Sequence, residues 1–312
     1  MTTAAPSEFL VGVDAGGSHT EVVVADELLT IRARVRGPAG AVRPGGLPTA
    51  ARAIVATVRQ ALGEAGLTGV PRALVVGAAG TGRAQERRAL GDALLEAHVA
   101  HRVEVTTDAA IALESVFHQA PGILLIAGSG SIAYARDPSG VVWRAGGLGW
   151  QMGDEGSGYA LGRAALGTVG RAADGRGSAT ELSATLARHA NAQSLDDLVQ
   201  WAGAASPGAV AALAKLVQEA ARDGDRVARE LVAAAAEELA LHVLVLLQRF
   251  PAEAAVPFAL AGGILTPGFP VREALLARLA DRAPRLSLVS QDVDPPRGAL
   301  ALAARLPATE SA

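Results

Sequence analysis

The sequence predicts an α/β protein with two similar halves and a helical insertion in the second half. Each half begins with three short strand-like segments around a glycine-rich turn, at residues 9–35 and 123–144. Helix-like and strand-like segments then alternate, and residues 158–250 are almost wholly helical in pattern. The repetition indicates a duplicated fold, in which a cleft between the halves is the natural ligand site.

The first half contains three predicted strands followed by alternating helices and strands. Residues 9–13 are almost continuously apolar, residues 19–25 predict a second strand, and residues 30–35 alternate apolar residues with arginines. The third strand therefore has one wet face, and the Gly-Pro-Ala-Gly segment at 37–40 ends it. The later predicted elements are a helix at 48–65, a strand at 73–76, a helix at 83–98, a strand at 102–105 and a helix at 108–117.

The second half repeats this plan around its insertion. The helical region has predicted breaks near residues 174–177 and 206–208, where glycine and proline occur. The predicted elements around it are strands at 123–127, 132–136 and 141–144, a strand at 258–261, a helix at 271–279, a strand at 286–289 and a helix at 298–306. We expect one domain at 1–117, with helix 297–312 packing back on it, and a second domain at 118–296 that includes the insertion 158–250.

Composition narrows the class of protein. The chain has 312 residues, a formal net charge of -3 and no cysteine, which excludes disulfides and thiolate metal sites. The sequence lacks the clustered basic residues that would predict nucleic-acid binding. It also lacks an uninterrupted apolar window of about 18 residues, which would predict a membrane span. Residues 1–7 lack the features of a secretory leader, so we expect a cytoplasmic protein.

Three glycine-bearing segments each follow an apolar run of strand length. They are Gly16-Gly17-Ser18-His19-Thr20, preceded by Asp14, then Gly128-Ser129-Gly130-Ser131, and then Gly262-Gly263. Glycine lets the chain turn tightly and brings backbone N–H groups close to an anion, as phosphate binding requires. A single such loop is usually only a turn, whereas three in corresponding places predict a nucleotide site.

A longer glycine-rich motif carries a family resemblance. It runs Gly146-Gly147-Leu148-Gly149-Trp150-Gln151-Met152-Gly153-Asp154-Glu155-Gly156-Ser157-Gly158. With the three loops in this order, it resembles the N-acetylglucosamine kinase branch of the actin-like ATPase superfamily, the group also called BadF/BadG/BcrA/BcrD ATPases. The resemblance extends from about residue 9 to residue 306. It implies duplicated actin-like ATPase (ribonuclease H-like) lobes, ATP and Mg²⁺ as cofactors, and a homodimer.

The resemblance also implies roles for the nucleotide-binding segments. Asp14, at the end of the first strand, is placed to hold Mg²⁺ through water, and the loop from Gly16 to Thr20 to bind the β- and γ-phosphates. Gly128 to Ser131 form the opposing phosphate loop, in which Ser131 adds a hydroxyl donor and Ser129 stands where relatives usually have Thr. Gly262 and Gly263, ahead of a helix, match the turn that carries adenosine. The alternatives are a simple hairpin turn and a plain strand-to-helix connection.

Asp108 is the expected catalytic base. A kinase of this fold needs a carboxylate near the accepting hydroxyl, so that the proton leaves as the phosphoryl group arrives. Asp108, between a strand and a helix, matches the family position of that residue. A carboxylate there is also a good helix N-cap, and the two roles are compatible.

The resemblance places the sugar pocket in the longer motif. It implies that Asp154 contacts sugar hydroxyls and that Gly147, Leu148 and Gly149 line the pocket, although Asp154 to Ser157 also suits a capped turn before a helix. Relatives often have Trp at the position of Leu148, and Trp150 is expected to replace that surface. They also often have Asn where this chain has Gly40, a departure that bears on sugar identity.

Three functions fit these patterns. The leading one is an ATP-dependent amino-sugar kinase, with N-acetylglucosamine 6-phosphate as the expected product and glucosamine or N-acetylmuramic acid as alternative substrates. An ATPase that drives electron transfer into a partner enzyme needs a cysteine-ligated cluster, which this chain cannot supply. A non-catalytic sugar sensor would have no need for a base such as Asp108.

Overall fold

The computed structural model describes residues 9–307. Residues 1–8 and 308–312 lie outside the described residues, and with them the segment on which the leader prediction rests and the end of the predicted segment 297–312. The chain divides into two compact units, one made of residues through Ala120 together with those from Gln291 onward, the other of Pro121–Ser290. Within the described range, no helix has the length and apolar character needed to cross a membrane.

The first unit is a five-stranded sheet with helices on both faces. Its elements are β1 (Phe9–Ala15), β2 (Thr20–Asp26), β3 (Ile31–Gly37), α1 (Leu47–Glu64), β4 (Ala73–Ala78), α2 (Ala84–Glu96), β5 (Arg102–Thr107), α3 (Asp108–Phe117) and α10 (Pro295–Arg305). The strand order is β3-β2-β1-β4-β5, with β1 antiparallel to β2 and parallel to β4. The parallel strands β1 and β5 end at the same side of the sheet. Asp14 near the end of β1 and Asp108 directly after β5 therefore lie on that side.

The alternation of side chains along β1 divides the apolar core of this unit between its two faces. Val11 and Val13 pack with α1 and α2, while Leu10 packs with α3 and α10. Gly12 allows α10 to approach the strand closely, because a Cβ there would lie 2.2 Å from the carbonyl oxygen of Pro296. The last described helix thus packs directly on the strand that carries Asp14.

The second unit repeats this sheet. Its elements are β6 (Gly122–Ala127), β7 (Ser131–Arg136), β8 (Val142–Gly146), α4 (Gly158–Ala173), α5 (Leu182–Ala190), α6 (Leu195–Ala204), α7 (Pro207–Asp223), α8 (Arg226–Leu247), β9 (Val256–Ala261), a 3-10 turn (Gly263–Leu265), α9 (Pro270–Arg282) and β10 (Leu286–Leu288). The strand order β8-β7-β6-β9-β10 has the same sequence of antiparallel and parallel pairs as the first unit. The duplication expected from the sequence is therefore present in the strand order.

The helical insertion has two more breaks than the sequence analysis predicts. Asn191 ends α5 in the left-handed conformation, and Ser194 and Asp197 form a capping box for α6. Gly224 ends α7 with φ of 109°, and the Asp225 side chain caps α8. Both breaks carry ordinary helix-end signals, which the apolar alanine-rich pattern on either side obscures.

Candidate active site

The turn between β1 and β2 presents free backbone donors. Gly16 N–H donates to the carbonyl of His19 (2.9 Å), and the Gly16 carbonyl accepts from the N–H groups of Gly40 and Ala41. Gly17 and Ser18, at the tip, are exposed, and their N–H groups donate to nothing within the described chain. The turn is held by hydrogen bonds to the segment at Gly40 and Ala41, and two neighbouring free N–H groups at its tip are an arrangement by which a backbone binds an anion.

The side chains of Thr20 and His19 both have contacts within the first unit. The Thr20 side chain is fully buried, and its hydroxyl has no hydrogen-bond partner among the described residues. The His19 ring lies with Nε2 at 2.9 Å from Nη2 of Arg36. The burial of this side chain beside Gly40 does not favour the expected contact between the Thr20 hydroxyl and phosphate, which stays a prediction.

The structure leaves little room for a side chain at position 40. A Cβ at Gly40 would lie 2.5 Å from the Thr20 hydroxyl oxygen and 3.1 Å from Cβ of Ala15. The segment that carries Gly40 is also held by its hydrogen bond to Gly16 and by the bond from Val42 N–H to the Ala79 carbonyl. Any side chain at position 40 would push this segment away from the phosphate loop.

Asp14 lies at the centre of a group of carboxylates. Glu21 is its direct neighbour across the antiparallel pair, and Asp108 begins α3 at the same edge of the sheet. Burial, followed by the negative charges of Asp108 and Glu21, raises the pKa of Asp14 to about 6. Glu21 in turn accepts from Arg34 (2.6 Å), which also pairs with Asp294.

Asp108 is not the N-cap of α3. Thr107 takes that position, and its hydroxyl accepts from Ala110 N–H at 3.2 Å. The Asp108 carboxylate lies in the first turn, half-buried, and one oxygen accepts from Ala109 N–H at 2.9 Å. The capping interpretation therefore applies to Thr107, which leaves the Asp108 carboxylate available for chemistry.

The loop Gly128–Ser131 joins β6 to β7 in the position that the Gly16 turn has in the first unit. Its carbonyl groups accept from the start of α4, with Gly158 N–H to Gly128 at 2.8 Å and Tyr159 N–H to Ser129 at 3.1 Å. The exposed Ser129 and the half-exposed Gly130 keep N–H groups that donate to nothing within the described chain. The Ser157 side chain accepts from the N–H of Ala160, the next donor of α4. The free N–H groups are therefore those of Ser129 and Gly130 in the loop, not those of the helix terminus.

Ser131 does not present a free hydroxyl donor. Its side chain is 2% exposed, and the hydroxyl donates to the Glu155 carbonyl at 2.7 Å. Its N–H donates to Oδ1 of Asp154 at 3.3 Å. These contacts do not favour the predicted role of Ser131 as a hydroxyl donor to phosphate, which stays a prediction, because the hydroxyl hydrogen is already donated within the protein.

Asp154 is held in an uncommon conformation against the phosphate loop. Its φ is 61°, a left-handed value that costs a residue with a side chain some stability. A Cβ at Gly130 would lie 2.8 Å from its Oδ2, so the carboxylate fits only against a glycine. Burial raises the pKa of Asp154, and within the described residues its Oδ2 accepts no hydrogen bond.

The rest of the longer motif is a glycine-hinged loop with an apolar surface. Gly146, Gly147 and Gly149 all have positive φ, and the Gly147 N–H donates to the Ser131 carbonyl at 3.0 Å. The large apolar side chains Leu148, Trp150 and Met152 are exposed on this loop. Trp150 rests on Tyr159, with ring centroids 5.3 Å apart.

Gly262 and Gly263 form a tight connection after β9. Gly262 has φ of 100°, and a Cβ there would lie 2.2 Å from the Ala127 carbonyl oxygen, so the turn lies against the end of β6. Gly263 is exposed and begins the 3-10 turn, with α9 following only at Pro270. The expected glycine turn is present, but a short 3-10 turn separates it from the helix.

Two residues near the candidate site, His242 and Glu21, were not singled out from the sequence. His242 on α8 is nearly buried, with Nδ1 2.7 Å from the Glu238 carbonyl, and its Nε2 lies 3.9 Å from Oε2 of Glu155. A Cβ at Gly146 would lie 2.3 Å from that Nε2, which explains the glycine. Glu21 could have been found from the turn length, because a four-residue turn at 16–19 places residue 21 opposite residue 14.

The charges of the first unit fit a divalent cation. Among the described residues no three His, Cys, Asp or Glu side chains form a metal-binding group. Mg²⁺ usually keeps several waters and binds proteins through one or two carboxylates, so Asp14 alone would suffice. Burial and the neighbouring carboxylates raise the pKa of Asp14, so a bound cation would stabilise the ionised form of this residue.

Comparisons with known proteins agree over almost the whole chain. The model of the BadF/BadG/BcrA/BcrD ATPase family matches residues 11–303. An N-acetylmuramic acid/N-acetylglucosamine kinase of Clostridium acetobutylicum is 27% identical over 301 residues, which cover 95% of this chain and 98% of the relative. An N-acetyl-D-glucosamine kinase of Dictyostelium discoideum is 26% identical over 311 residues, with 95% and 98% covered.

A solved structure shows the same fold. It belongs to a Chromobacterium violaceum protein provisionally assigned as an N-acetylglucosamine kinase, and it matches with a TM-score of 0.78 and 30% identity. The match covers 96% of this chain and 100% of the other. The predicted duplicated actin-like ATPase fold is confirmed, as is the family resemblance.

Proposed function

Because the chain belongs to the BadF/BadG/BcrA/BcrD ATPase family, we propose that it is a sugar kinase that transfers the γ-phosphoryl group of ATP to an amino sugar. The observation that carries the proposal is the Asp108 carboxylate, which is not the N-cap of α3 and lies near enough to the half-buried Asp14 to raise the pKa of that residue. A sensor would need neither the base nor the second carboxylate.

Phosphate-binding roles are proposed for free donors of each unit. The N–H groups of Gly17 and Ser18 are proposed to bind its phosphates from one unit, and those of Ser129 and Gly130 from the other. The exposed Ser129 hydroxyl is a further donor, and the turn at Gly262 and Gly263 is proposed to carry adenosine. Asp14 would hold Mg²⁺, which supplies positive charge to the phosphate oxygens when bound.

The sugar is assigned to the longer motif of the second unit and to Asp108. Asp154, with an unpaired Oδ2, is proposed to accept from sugar hydroxyls. The loop residues Gly147, Leu148 and Gly149 are proposed to line the pocket, and Trp150 to supply an apolar surface for the sugar ring or its acyl group. N-acetylglucosamine is the proposed sugar, with glucosamine and N-acetylmuramic acid as alternatives, since one relative is named for both N-acetylated sugars.

In the proposed reaction, Asp108 accepts the proton of the primary hydroxyl of the sugar. The hydroxyl oxygen then forms its bond to the γ-phosphorus as the bond to the leaving oxygen of ADP breaks. The products are ADP and the sugar 6-phosphate. We also propose that the protein is a homodimer and acts in the cytoplasm.

A coupled ADP-release assay over a panel of sugars tests the function. The panel contains N-acetylglucosamine, glucosamine, N-acetylmuramic acid and glucose, each with ATP and Mg²⁺. We expect ADP release that depends on an amino sugar and is largest for N-acetylglucosamine. Release that is equal with and without sugar would identify a simple ATPase, and no release with any sugar would favour a sensor.

A further inference from the structure

Ser131 makes three hydrogen bonds that connect two functional loops. Its N–H donates to Asp154 Oδ1 (3.3 Å), its hydroxyl donates to the Glu155 carbonyl (2.7 Å), and its carbonyl accepts from Gly147 N–H (3.0 Å). All three partners lie in the loop that runs from Gly146 to Ser157. Ser131 itself ends the phosphate loop that begins at Gly128. It therefore connects the proposed nucleotide-binding loop to the proposed sugar-binding loop.

The phosphate loop also contacts the backbone at the start of α4 and the carboxylate of Asp154. Gly158 and Tyr159 donate to the carbonyls of Gly128 and Ser129, and the Asp154 carboxylate lies against the α-carbon of Gly130. A displacement of Gly130 or Ser131 by a bound phosphate would therefore move the support of Asp154. The Ser131 hydroxyl is the one side-chain donor in this set that a substitution can remove.

We propose that Ser131 is a positioning residue that couples nucleotide binding to sugar binding. The inference rests on the proposed function, in which the loop 128–131 binds phosphate and Asp154 binds sugar. Ordering of the phosphate loop fixes Ser131, and Ser131 fixes Asp154 and Glu155 through two adjacent hydrogen bonds. Coupling of this kind is reciprocal, so sugar also strengthens nucleotide binding by the same factor.

The alternative role, in which the Ser131 hydroxyl binds phosphate, predicts different behaviour. A hydroxyl that donates to a carbonyl at 2.7 Å and is 2% exposed cannot also donate to a ligand. Ser131→Ala leaves the Glu155 carbonyl without this donor and frees the end of the Asp154 turn. Ser129→Ala removes an exposed hydroxyl two residues away, on the same loop, and serves as the contrast.

The test is a binding experiment on the full chain with N-acetylglucosamine and a non-hydrolysable ATP analogue with Mg²⁺ as probes. The Kd of the sugar is measured by calorimetry with and without the analogue. We expect at least fivefold tighter sugar binding with the analogue for the natural protein, and less than twofold for Ser131→Ala. The affinity of Ser131→Ala for the analogue alone should stay within about threefold of the natural protein, whereas Ser129→Ala should weaken it.

A third variant controls for lost stability. Ser206→Ala removes a helix-capping hydroxyl elsewhere in the same unit, the one that accepts from Ala209 N–H at 3.2 Å, and it should retain the full coupling. Tenfold weaker analogue binding by Ser131→Ala with coupling intact would show that Ser131 is a phosphate ligand. Unchanged coupling in Ser131→Ala, or no coupling in the natural protein, would also overturn the proposal.

A fluorescence measurement separates this inference from the proposed function. Trp150 lies on the coupled loop, so the analogue alone should change its emission in the natural protein and not in Ser131→Ala. The part of the signal lost in Trp150→Phe is the part assigned to that residue. If no sugar binds, the proposed function fails, yet the loop connection is still tested by this signal, and equal changes in both proteins would refute it.

Discussion

Replacement of Asp14 by Asn should make the metal-free protein more stable and inactive at the same time. Burial and the charges of Asp108 and Glu21 raise the pKa of Asp14 from its ordinary 3.8 to about 6. Each pKa unit corresponds to about 1.36 kcal/mol, so holding Asp14 ionised in the folded protein costs about 3 kcal/mol. Asn has nearly the same shape and carries no charge, so Asp14→Asn removes this cost.

The sign of the effect fixes its dependence on pH. Below about pH 4 the carboxyl is protonated in both the folded and unfolded states, and the two proteins should be equally stable in this respect. Between pH 4 and 6 the unfolded chain ionises before the folded one, so the natural protein loses stability relative to Asp14→Asn. Above pH 6 the difference should level off at about 3 kcal/mol.

The assay is denaturant unfolding in the presence of a chelator at pH 4.5 and pH 8. Asp137 provides a control of opposite sign, because hydrogen bonds from Ser139 and Trp143 lower its pKa to about 2. Asp137→Asn should therefore destabilise the protein at pH 8. An Asp14→Asn protein that is less stable than the natural one at pH 8, or a gain that does not grow with pH, would refute the reasoning.

Three further substitutions test individual residues. Asp108→Asn should lower kcat by about 10² or more with the Kd for ATP retained, and turnover above a tenth of the natural rate would refute its role as base. Asp154→Ala should raise the KM for the sugar far more than that for ATP, by about 1.5 to 3 kcal/mol of binding free energy, and equal effects on both KM values would indicate a structural role. Thr20→Val should raise the free energy of unfolding by about 1 kcal/mol in chemical denaturation, because it removes an unpaired buried hydroxyl. A rise in the KM for ATP instead would show that this hydroxyl reaches the phosphates.

Much of the architecture follows from local patterns that the sequence displays directly. The apolar run that begins at Phe9 and the alternation with Arg32 and Arg34 predict β1 and β3. Both observed strands end two residues beyond the predicted ends, and β3 begins one residue later than predicted. The breaks at Asn191 and Gly224 were missed because the alanine-rich pattern continues on both sides. Their capping partners, Ser194 and Asp225, were visible in the sequence.

The side-chain chemistry of the site was less predictable. Sequence places Thr20 and Ser131 in glycine loops beside phosphate donors, but it does not show which way each hydroxyl points. The direction depends on Gly40 for Thr20 and on Glu155 for Ser131, and both neighbours are distant in sequence. The backbone donors of these loops, in contrast, follow from glycine and turn length alone.

Phosphorus NMR of the reaction mixture tests the central claim most directly. A phosphoryl group on the primary hydroxyl is bonded through oxygen to a CH₂ group, so its resonance is split into a triplet by two protons. We predict that N-acetylglucosamine, ATP and Mg²⁺ give such a triplet as ATP is consumed, and that Asp108→Asn slows its appearance by about 10². A doublet would place the phosphoryl group on a secondary or anomeric hydroxyl, and inorganic phosphate alone would contradict the assignment of a sugar kinase.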